Sequence, residues 1–570
     1  MLPSYWGALA RTFTFRDKFI VTILLVVALA ATLFLGRTAY LGFTVALPKT
    51  GGEYVEGVVG QPLYVNPLLS QTSDADADLA RVIYSGLFTY NKEGKAVPDI
   101  AQDYAISEDS KTYTVYLRQN VKWHDGEALT AEDVVFTFKA LQDPAYKSPL
   151  RQLWQGVEVS SSDDYTVVFA LKAPYFAFLD NLTVGILPRH IWENISPEKF
   201  ALAEYNLRPV GTGPYRFVDF QKDSSGTILS YSLQANETYY RGVPYISRFT
   251  FNFYPDEDSL LAAYNKKEVA GMGSVSAEKL GLIKSPKSMA IHEMVVPRYF
   301  AAFFNQTHNA ALAFDEVRRA LAKSVDRDEI VSSVLGGKGT PLASPLFPQM
   351  KEYTDISGAA DFSPEEANRI LDETGWTRAQ DSIRSKGNTR LSFELVTADW
   401  PELRRNADLL AAQWQKIGAE VRVTAVPVVE LQQNYIRTRE YDSILFGQAI
   451  SFNPDLYPFW HSSNKRDPGL NLALFEDKEV DTLLEEIRQE PSRDERIKKI
   501  RRVQEILSAK NPAVFLYGPS YLHVSRSSVS GISAMYVSNG AQRLADVHTW
   551  FVKVRRVLKE KTPAQQEEGK

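Results

Sequence analysis

The sequence predicts an α/β protein of about two to four domains or lobes, preceded by one membrane-spanning helix. Its 570 residues are too many for one ordinary hydrophobic core. Stretches typical of strands and of helices are interspersed through the second half, as they are in α/β lobes. A long apolar run without charges lies near the N-terminus. With 44% hydrophobic and 23% charged residues, the composition is that of a folded protein.

The apolar run Phe19–Gly36 contains 18 residues and no charge. As a helix it would span roughly 27 Å, close to a hydrocarbon core of about 30 Å. Arg11, Arg16 and Lys18 precede it, so the positive-inside rule places the N-terminus in the cytoplasm and the bulk of the chain outside. A cleaved signal peptide is the alternative, because the run is only modestly longer than a typical h-region. No small-x-small site follows the run, which favours an uncleaved signal anchor.

Strands are predicted where apolar and polar residues alternate. Tyr113, Val115 and Leu117 fall on one face of such a segment, as in a half-buried strand. The predicted strands are Tyr113–Leu117, Thr166–Leu171, Phe249–Tyr254, Leu391–Val396, Glu420–Val426 and Ser443–Phe446.

Capping residues mark the predicted helices. Thr130 can cap a helix whose third position is Asp133, where a carboxylate meets free amides and the positive end of the helix dipole. Similar signals predict a helix from Asp326 that Gly336 closes, a helix from Ser363, and a helix from Pro401 that ends at Gly418. A further helical pair is predicted over Glu479–Arg488 and Arg493–Lys510.

The composition and the motifs argue against several classes of function. The formal net charge of −5 offers no basic footprint for nucleic acid. The chain has no cysteine, which excludes disulfides, thiol nucleophiles, cysteine-ligated metals and a lipid-modified cysteine anchor. The seven histidines show no metal-ligand spacing, and neither a GxSxG elbow nor a Walker motif occurs. We therefore predict no catalytic residue, no metal site and no cofactor, and binding rather than catalysis.

The segment Leu117–Lys139, LRQNVKWHDGEALTAEDVVFTFK, joins a strand end, an Asp-Gly turn and a capped amphipathic helix. It resembles the signature segment of the family 5 solute-binding proteins, the peptide/nickel-type receptors of ABC importers. Other segments resemble the family in the same order, and the likeness runs from about residue 51 to about residue 519. These segments are Asp99–Ala101, Pro209–Tyr215, Asn236–Tyr240, Phe304–Gln306, Val317–Leu321, Asp326–Arg327, Tyr441–Asp442, Asn453–Pro454, Asn471 and Glu479–Asp481.

The resemblance implies a class II periplasmic-binding-protein-like fold, in which two lobes and an extra domain close over a ligand at the hinge. Such a receptor delivers a peptide or another small solute to a membrane permease that a separate ATPase drives, and it is not an enzyme. The alternative is an extracytoplasmic ligand sensor or scaffold with the same cleft and no dedicated transporter. The expected divisions are 1–18 cytoplasmic N-terminus, 19–40 transmembrane anchor, 41–50 linker, 51–70 with 207–295 and 515–558 lobe I, 71–206 extra domain, 296–514 lobe II, and 559–570 disordered tail.

The resemblance also directs attention to a departure in the ligand site. In peptide-binding relatives, an aspartate shortly before the Asn-Pro landmark holds the free α-amino group of the peptide. Aligned on Pro454, its place falls at Ile450, which cannot pair an ammonium group. Asp455 lies beyond the proline and could replace the aspartate only in a rearranged loop. The departure favours N-blocked peptides, non-peptide solutes or ligands bound by apolar and aromatic contacts.

The remaining candidate ligand contacts each have a structural alternative. Tyr64 and Asn66 follow the first strand, where relatives contact ligand, although a turn with Pro67 would explain them equally well. Trp400 can stack on a ligand or hold the start of the next helix. The residues that flank the departed position complete the prediction, namely Ser451, Phe452 and Asn453. Trp123 and His124 are expected to pack the extra domain and not to touch ligand.

Overall fold

The protein is described from a computed structural model that covers residues 14–356 and 361–558. Most of the predicted cytoplasmic N-terminus and the whole predicted tail from residue 559 lie outside the described residues. The described chain divides into two compact units. One contains residues 14–52 and 551–558, and the other contains residues 53–550.

The first unit consists of a long helix and a two-stranded ribbon. The helix Phe15–Phe43 includes the predicted apolar run and begins at Thr14, whose backbone N–H donates to the Asp17 carboxylate at 2.9 Å. By length and composition this helix could cross a membrane, and a signal sequence would pass the same test. The ribbon pairs the strand Thr44–Lys49 antiparallel with Lys553–Leu558.

The ribbon differs from two sequence-based expectations. Residues 41–50, expected to form a linker, contain the end of the helix and a paired strand. Residues 551–558, expected in lobe I, belong to the unit of the helix. The partner strand lies about 500 residues away in the sequence, so no local pattern could reveal the pairing.

The second unit contains a large mixed sheet around the long strand Ala513–Arg526. The first part of that strand pairs with Arg298–Phe304, and its last part pairs with Met289–Val295. Two further strands, Met289–Val295 and Gly339–Pro341, also pair with the long strand. In spatial order the other strands of the sheet are Glu420–Val426, Ser392–Ala398, Ser443–Ala449, Arg298–Phe304, Ala513–Arg526, Gly271–Met272, Glu53–Val59, Arg248–Tyr254, Ile228–Ala235 and Tyr215–Lys222.

The partners of the long strand change near its middle. Strands from residue 298 onward pair with its first part, whereas those from the segment 53–295 pair with its last part. Within this unit, the chain passes from one group of strands to the other at Val296–Pro297 and again near Pro519. These two segments, which we call the crossing segments, are the places where a change in the angle between the strand groups would be absorbed.

Smaller sheets and the helices surround these strands. A four-stranded antiparallel sheet consists, in order, of Ala101–Ile106, Thr112–Leu117, Thr166–Leu171 and Val157–Asp163. A three-stranded sheet consists, in order, of Thr377–Arg378, Arg384–Lys386 and Thr389–Arg390, and Phe88–Tyr90 pairs with Ala96–Pro98. The longer helices are Asp74–Ile83, Ala131–Gln142, Glu257–Lys266, Asp315–Lys323, Arg327–Leu335, Pro364–Glu373, Pro401–Lys416, Lys478–Gln489 and Arg493–Lys510.

The predicted strands and helices are all present, with ends displaced by no more than about three residues. The capping predictions are also confirmed. The Thr130 N–H donates to the Asp133 carboxylate at 2.9 Å, and the Asp326 side chain accepts from the Glu329 N–H at 2.9 Å. Gly336 closes the latter helix in the left-handed conformation, with φ of 56°.

His124 joins the signature segment to the glycine-containing turn near residue 212. Its Nδ1 accepts from the N–H of Gly211 at 3.2 Å, and its Nε2 lies 3.0 Å from the carbonyl oxygen of Gly213. A ring that accepts at one nitrogen and donates at the other is neutral, and burial lowers the pKa of His124 to about 4. A side chain on Gly211 would overlap the carbonyl of Ile83, so this close approach requires glycine. With Trp123 buried beside it, His124 thus bonds to a turn in the segment expected to belong to lobe I, whereas it was expected to pack the extra domain. That neither residue touches ligand stays a prediction.

A buried ionic cluster joins the first strand of the large sheet to the helix that follows and to the C-terminal part of the unit. Arg543 contacts both oxygens of Asp78 at 2.6 Å and Glu56 at 2.9 Å. The hydroxyl of Tyr54 donates to Glu56 at 2.5 Å. Burial raises the pKa of Glu56, but the charges of His523 and Arg543 outweigh that effect and hold it at about 2. Each charge is paired, which is the condition for burying it.

Candidate ligand-binding site

A pocket of about 280 Å³ lies where the two crossing segments meet. One wall comes from Val296 and Arg298, and the other from residues 519–522 of the long strand. Trp400 and Glu402 enter it from the start of the helix Pro401–Lys416. The remaining lining residues are Ser274, Val275, Phe300 and Leu403. A ligand here would touch both crossing segments, so its contacts would depend on the angle between the strand groups.

The Glu402 carboxylate is placed in the pocket by the geometry of the helix start. Trp400 is the N-cap and Pro401 the first helical residue, which directs the next side chains toward the crossing segments. The hydroxyl of Tyr517 donates to Glu402 at 3.3 Å. Burial raises the pKa of Glu402, and the hydrogen bond from Tyr517 only partly offsets this. Glu402 is therefore a half-buried carboxylate that a cationic ligand group would stabilise.

Arg298 lines the same pocket with the opposite charge. It begins the strand Arg298–Phe304, and its side chain is exposed. Among the described residues, its guanidinium makes no ion pair. The pocket thus combines a carboxylate, a guanidinium and the aromatic residue Trp400, which remains 48% exposed. Such a set suits a ligand that carries both an ammonium and a carboxylate group.

A neighbouring pocket of about 410 Å³ shares Glu402 and residues 274, 275, 519, 520 and 522 with the first. Two ion pairs beside it bridge the strand groups. Lys338 Nζ lies 2.8 Å from Glu293 Oε2, and Arg405 pairs with Glu278. Both pairs are partly exposed, so each contributes roughly 1 kcal/mol or less to the arrangement of the strand groups. These two ion pairs therefore oppose a change in the arrangement only weakly.

A further cavity of about 260 Å³ lies beside the helix Asp74–Ile83. It is lined by Arg81 and Tyr90 and by residues 183–185 and 539–542 among others. It touches neither crossing segment, so binding there would not depend directly on the angle between the strand groups. We therefore take the pocket at Trp400 as the candidate site.

Of the predicted ligand contacts, the structure places Trp400 in the pocket. Ile450 is different, because it is only 6% exposed and belongs to the apolar core around the strand Ser443–Ala449. Its N–H donates to the carbonyl of Pro297 at 2.7 Å. The position aligned with the family's aspartate thus holds a core residue that supports a crossing segment in this conformation, and its contact with ligand stays a prediction.

The residues after Ile450 are engaged with other parts of the protein. Phe452 packs edge-on against Tyr536, with ring centroids 5.1 Å apart, and the Asn453 amide lies 3.4 Å from the Asp180 carboxylate. The Ser451 hydroxyl donates to the carbonyl of Asn453. The three residues therefore fasten this loop to the segments around 180 and 536, and their contact with ligand stays a prediction.

Asp455 cannot replace the missing aspartate in this structure. Both its oxygens bind Arg488, with an Nη2–Oδ2 distance of 2.6 Å and an Nε–Oδ1 distance of 3.2 Å. Its Oδ1 also accepts from the N–H of Tyr457 at 3.1 Å. The carboxylate is therefore already neutralised by a bidentate partner.

Asn66 and Tyr64 lie outside the pocket lining. Asn66 is fully buried, and its side-chain amide donates to Asn206 at 3.0 Å while its oxygen accepts from the Leu68 N–H at 3.0 Å. Its polar atoms are thus satisfied within the protein, and its contact with ligand stays a prediction. Tyr64 is half-buried, and its N–H donates to Asp76 at 2.8 Å, as expected in the same turn.

The sequence does not mark Glu402 or Arg298 as candidate ligand contacts. A glutamate in the first turn of a helix is common, because a carboxylate there interacts favourably with the helix dipole, so its position alone does not indicate a ligand site. Arg298 begins a strand, where a charged residue is unremarkable. The proximity of Glu402 to Trp400, two residues apart, was the available signal.

The fold and the hinge-side pocket define a two-lobed α/β binding protein of the extracytoplasmic, periplasmic-binding type. Residues 95–469 match the family model described as bacterial extracellular solute-binding proteins, family 5, middle region. The chain belongs to this family, whose members are receptors of ABC importers and not enzymes.

Individual relatives extend the match over nearly the whole chain. The chain is 28% identical over 519 residues to the oligopeptide-binding protein AppA of Bacillus subtilis, covering 89% of this chain and 92% of the relative. The AppA structure in complex with a nonapeptide aligns with a TM-score of 0.67 and 26% identity, over 89% of this chain and all of AppA. NikZ of Campylobacter jejuni in complex with Ni(L-His) aligns with a TM-score of 0.68 and 25% identity, over 88% of this chain and 99% of NikZ.

Proposed function

We propose that this protein is a membrane-anchored extracytoplasmic receptor that captures short peptides, or similar solutes with both an ammonium and a carboxylate group, and delivers them to an ABC importer. The observation that carries the proposal is the pocket between the crossing segments, with Glu402, Arg298 and Trp400 in its lining. Glu402 takes the ammonium group and Arg298 the carboxylate. Trp400 covers the apolar part of the ligand.

We further propose that the lobes follow the strand groups. Lobe I contains 51–70, 207–295 and the C-terminal segment from 515 to about 550. Lobe II contains 296–514, and the extra domain contains 71–206. The change of strand partners at the crossing segments supports these divisions. Closure of the lobes buries the ligand from two sides, and the ligand stabilises the closed arrangement by its contacts with both.

The anchor is the helix Phe15–Phe43, with its N-terminus in the cytoplasm and the lobes outside. Its apolar length and the basic residues before it support this orientation. An anchored receptor stays near its permease, which raises the effective concentration of receptor at the importer.

The full-length protein in detergent or nanodiscs tests the proposed ligand class. Ligands that copurify are released by denaturation and identified by mass spectrometry. Thermal shifts are then measured with one short peptide in three forms, with free termini, N-acetylated and C-amidated. We expect the free form to stabilise the protein most, by about 2.7 kcal/mol at a hundredfold excess over Kd. Equal stabilisation by all three forms, or conversion of the peptide to a product, would contradict the proposal.

A further inference from the structure

The first unit places charged and apolar groups just beyond the expected edge of a membrane. Its helix has 29 residues and is therefore about 43 Å long, which exceeds a hydrocarbon core of about 30 Å. The uncharged run ends at Gly36, and the last turns, Arg37–Phe43, add about 10 Å. Arg37 and Tyr40 are residue types that favour the head-group region. The ribbon thus begins where the head groups meet water, if the helix spans the membrane as proposed.

The two faces of the ribbon differ in charge. Residues opposite each other in an antiparallel pair share a face, and successive residues alternate. One face, which we call the basic face, contains the pairs Val45 with Val557, Leu47 with Arg555, and Lys49 with Lys553. The other face contains Thr44 with Leu558, Ala46 with Arg556, and Pro48 with Val554. Residues 44–52 and 551–558 include no acidic residue, so the charges of the ribbon have one sign.

Both faces expose apolar side chains, and on the opposite face Val554 is 53% and Leu558 is 75% exposed, so charge is what distinguishes the basic face. On the basic face the apolar residues lie at the end nearer the helix. Val45 is 41% exposed and Leu47 is 38% exposed. The lysine pair lies at the far end. Apolar groups that enter the interface together with basic groups that reach phosphates are the combination by which peripheral segments bind anionic membranes.

Arg556 fixes the ribbon to the end of the helix. Its Nε donates to the Thr44 hydroxyl at 2.7 Å, and its Nη2 donates to the carbonyls of Thr44 at 3.0 Å and Leu41 at 3.3 Å. These bonds satisfy carbonyls at the helix C-terminus and prevent free rotation at the joint. The direction of the basic face is thus set by the helix.

We propose that the ribbon is a lipid-docking element, whose basic face lies on the head groups of anionic phospholipids. A two-stranded ribbon is marginally stable alone, and a surface that binds one face would stabilise it. The element would hold both ends of the exterior portion at the membrane, because one strand follows the helix and the other ends the described chain. The inference rests on the proposed anchor but not on the proposed ligand.

The absence of cysteine allows site-specific labelling of the full-length protein. Leu47→Cys carries an environment-sensitive dye on the basic face, and Val554→Cys carries it on the opposite face as a matched control. The proteins are reconstituted in vesicles of phosphatidylcholine alone or with about 30% phosphatidylglycerol. Lipids with a spin label near the head group then quench any dye that touches the surface. We expect quenching at Leu47→Cys to rise about twofold with phosphatidylglycerol and that at Val554→Cys to stay unchanged.

A charge variant tests the cause. Lys49→Gln, Lys553→Gln and Arg555→Gln together should abolish the rise at Leu47→Cys. The control variant changes three exposed lysines elsewhere, Lys284, Lys287 and Lys351, to glutamine and should keep it. Equal quenching at both labels, or a rise that survives the ribbon variant, would overturn the proposal. Protection of Leu47→Cys only when the importer is present would replace the lipid with a protein partner.

Alkaline extraction separates this proposal from the anchor on which it rests. Retention of the chain in alkali-washed membranes reports the spanning helix, whatever the ribbon does. Release of the chain would refute the anchor and the docking element together. Retention without face-specific quenching would refute the docking element alone, and the peptide thermal shifts would remain unaffected in both cases.

Discussion

Replacing Glu402 with glutamine should weaken the binding of peptides with a free amino group. The change keeps the shape of the side chain and an oxygen that can accept the hydrogen bond from Tyr517, which is 3.3 Å long. It removes the charge that faces the ligand ammonium. Truncating one partner of a buried charge pair costs about 2–5 kcal/mol, and the half-buried position of Glu402 favours the lower end. A loss of about 2 kcal/mol is roughly a 30-fold increase in Kd.

The same carboxylate should make binding depend on pH. Burial raises the pKa of Glu402 in the free protein above that of an ordinary glutamate. As the pH falls through this raised pKa, the carboxylate becomes protonated and no longer attracts the ammonium group. In the wild type, the affinity for a free-amine peptide should therefore begin to fall at a higher pH than it would with an ordinary glutamate. In Glu402→Gln, the affinity should depend less on pH.

Isothermal titration of the full-length protein with the free and N-acetylated forms of one peptide tests both expectations. Glu430→Gln, at an exposed position outside the pocket, is the matched control. We expect Glu402→Gln to lose affinity for the free peptide only. If both peptides lost affinity equally, or if the control behaved like Glu402→Gln, the assignment of Glu402 as the partner of the amino group would be wrong.

Three further predictions concern other parts of the molecule. Trp400→Ala should raise the Kd for peptides about fivefold in the same titrations, because an aromatic contact contributes about 1 kcal/mol, while the urea midpoint stays unchanged. Lowering the pH from 7 to 5 should reduce the free energy of unfolding by about 2 kcal/mol through His124, because its pKa is about 4 in the folded protein against an ordinary 6.5 and the unfolded chain takes up the proton first. In urea titrations, the stability of His124→Asn should depend less on pH. Arg543→Met should lower the unfolding free energy by about 3–5 kcal/mol, since it leaves buried Glu56 and Asp78 without their partner, and an unchanged urea midpoint would contradict this role.

Local signals predicted the elements of this fold well. The caps at Thr130 and Asp326 involve residues within one turn of each other, so the sequence alone contains the hydrogen-bonding partners. The ribbon was missed for the opposite reason. Its strands, Thr44–Lys49 and Lys553–Leu558, lie at the two ends of the chain, and each is too short to show a pattern of its own.

The candidate site was predicted only in part, because a pocket depends on which side chains face it. Alignment placed Ile450 at the family's ligand position, but its side chain enters the core. Asp455 has the required charge but binds Arg488. In the proposed site the carboxylate comes from Glu402, on a different element from Ile450, and no linear motif links the two positions.

Single-molecule energy transfer across the cleft tests the central claim most directly. Leu229→Cys and Val429→Cys place dyes on exposed positions of the two strand groups, at 46% and 59% exposure, in a chain with no other cysteine. We predict that a saturating free-termini peptide shifts the molecules to one narrow distance distribution, while the N-acetylated peptide at the same concentration shifts them less. A distribution that no peptide changes, measured under conditions where titration shows binding, would contradict capture by lobe closure.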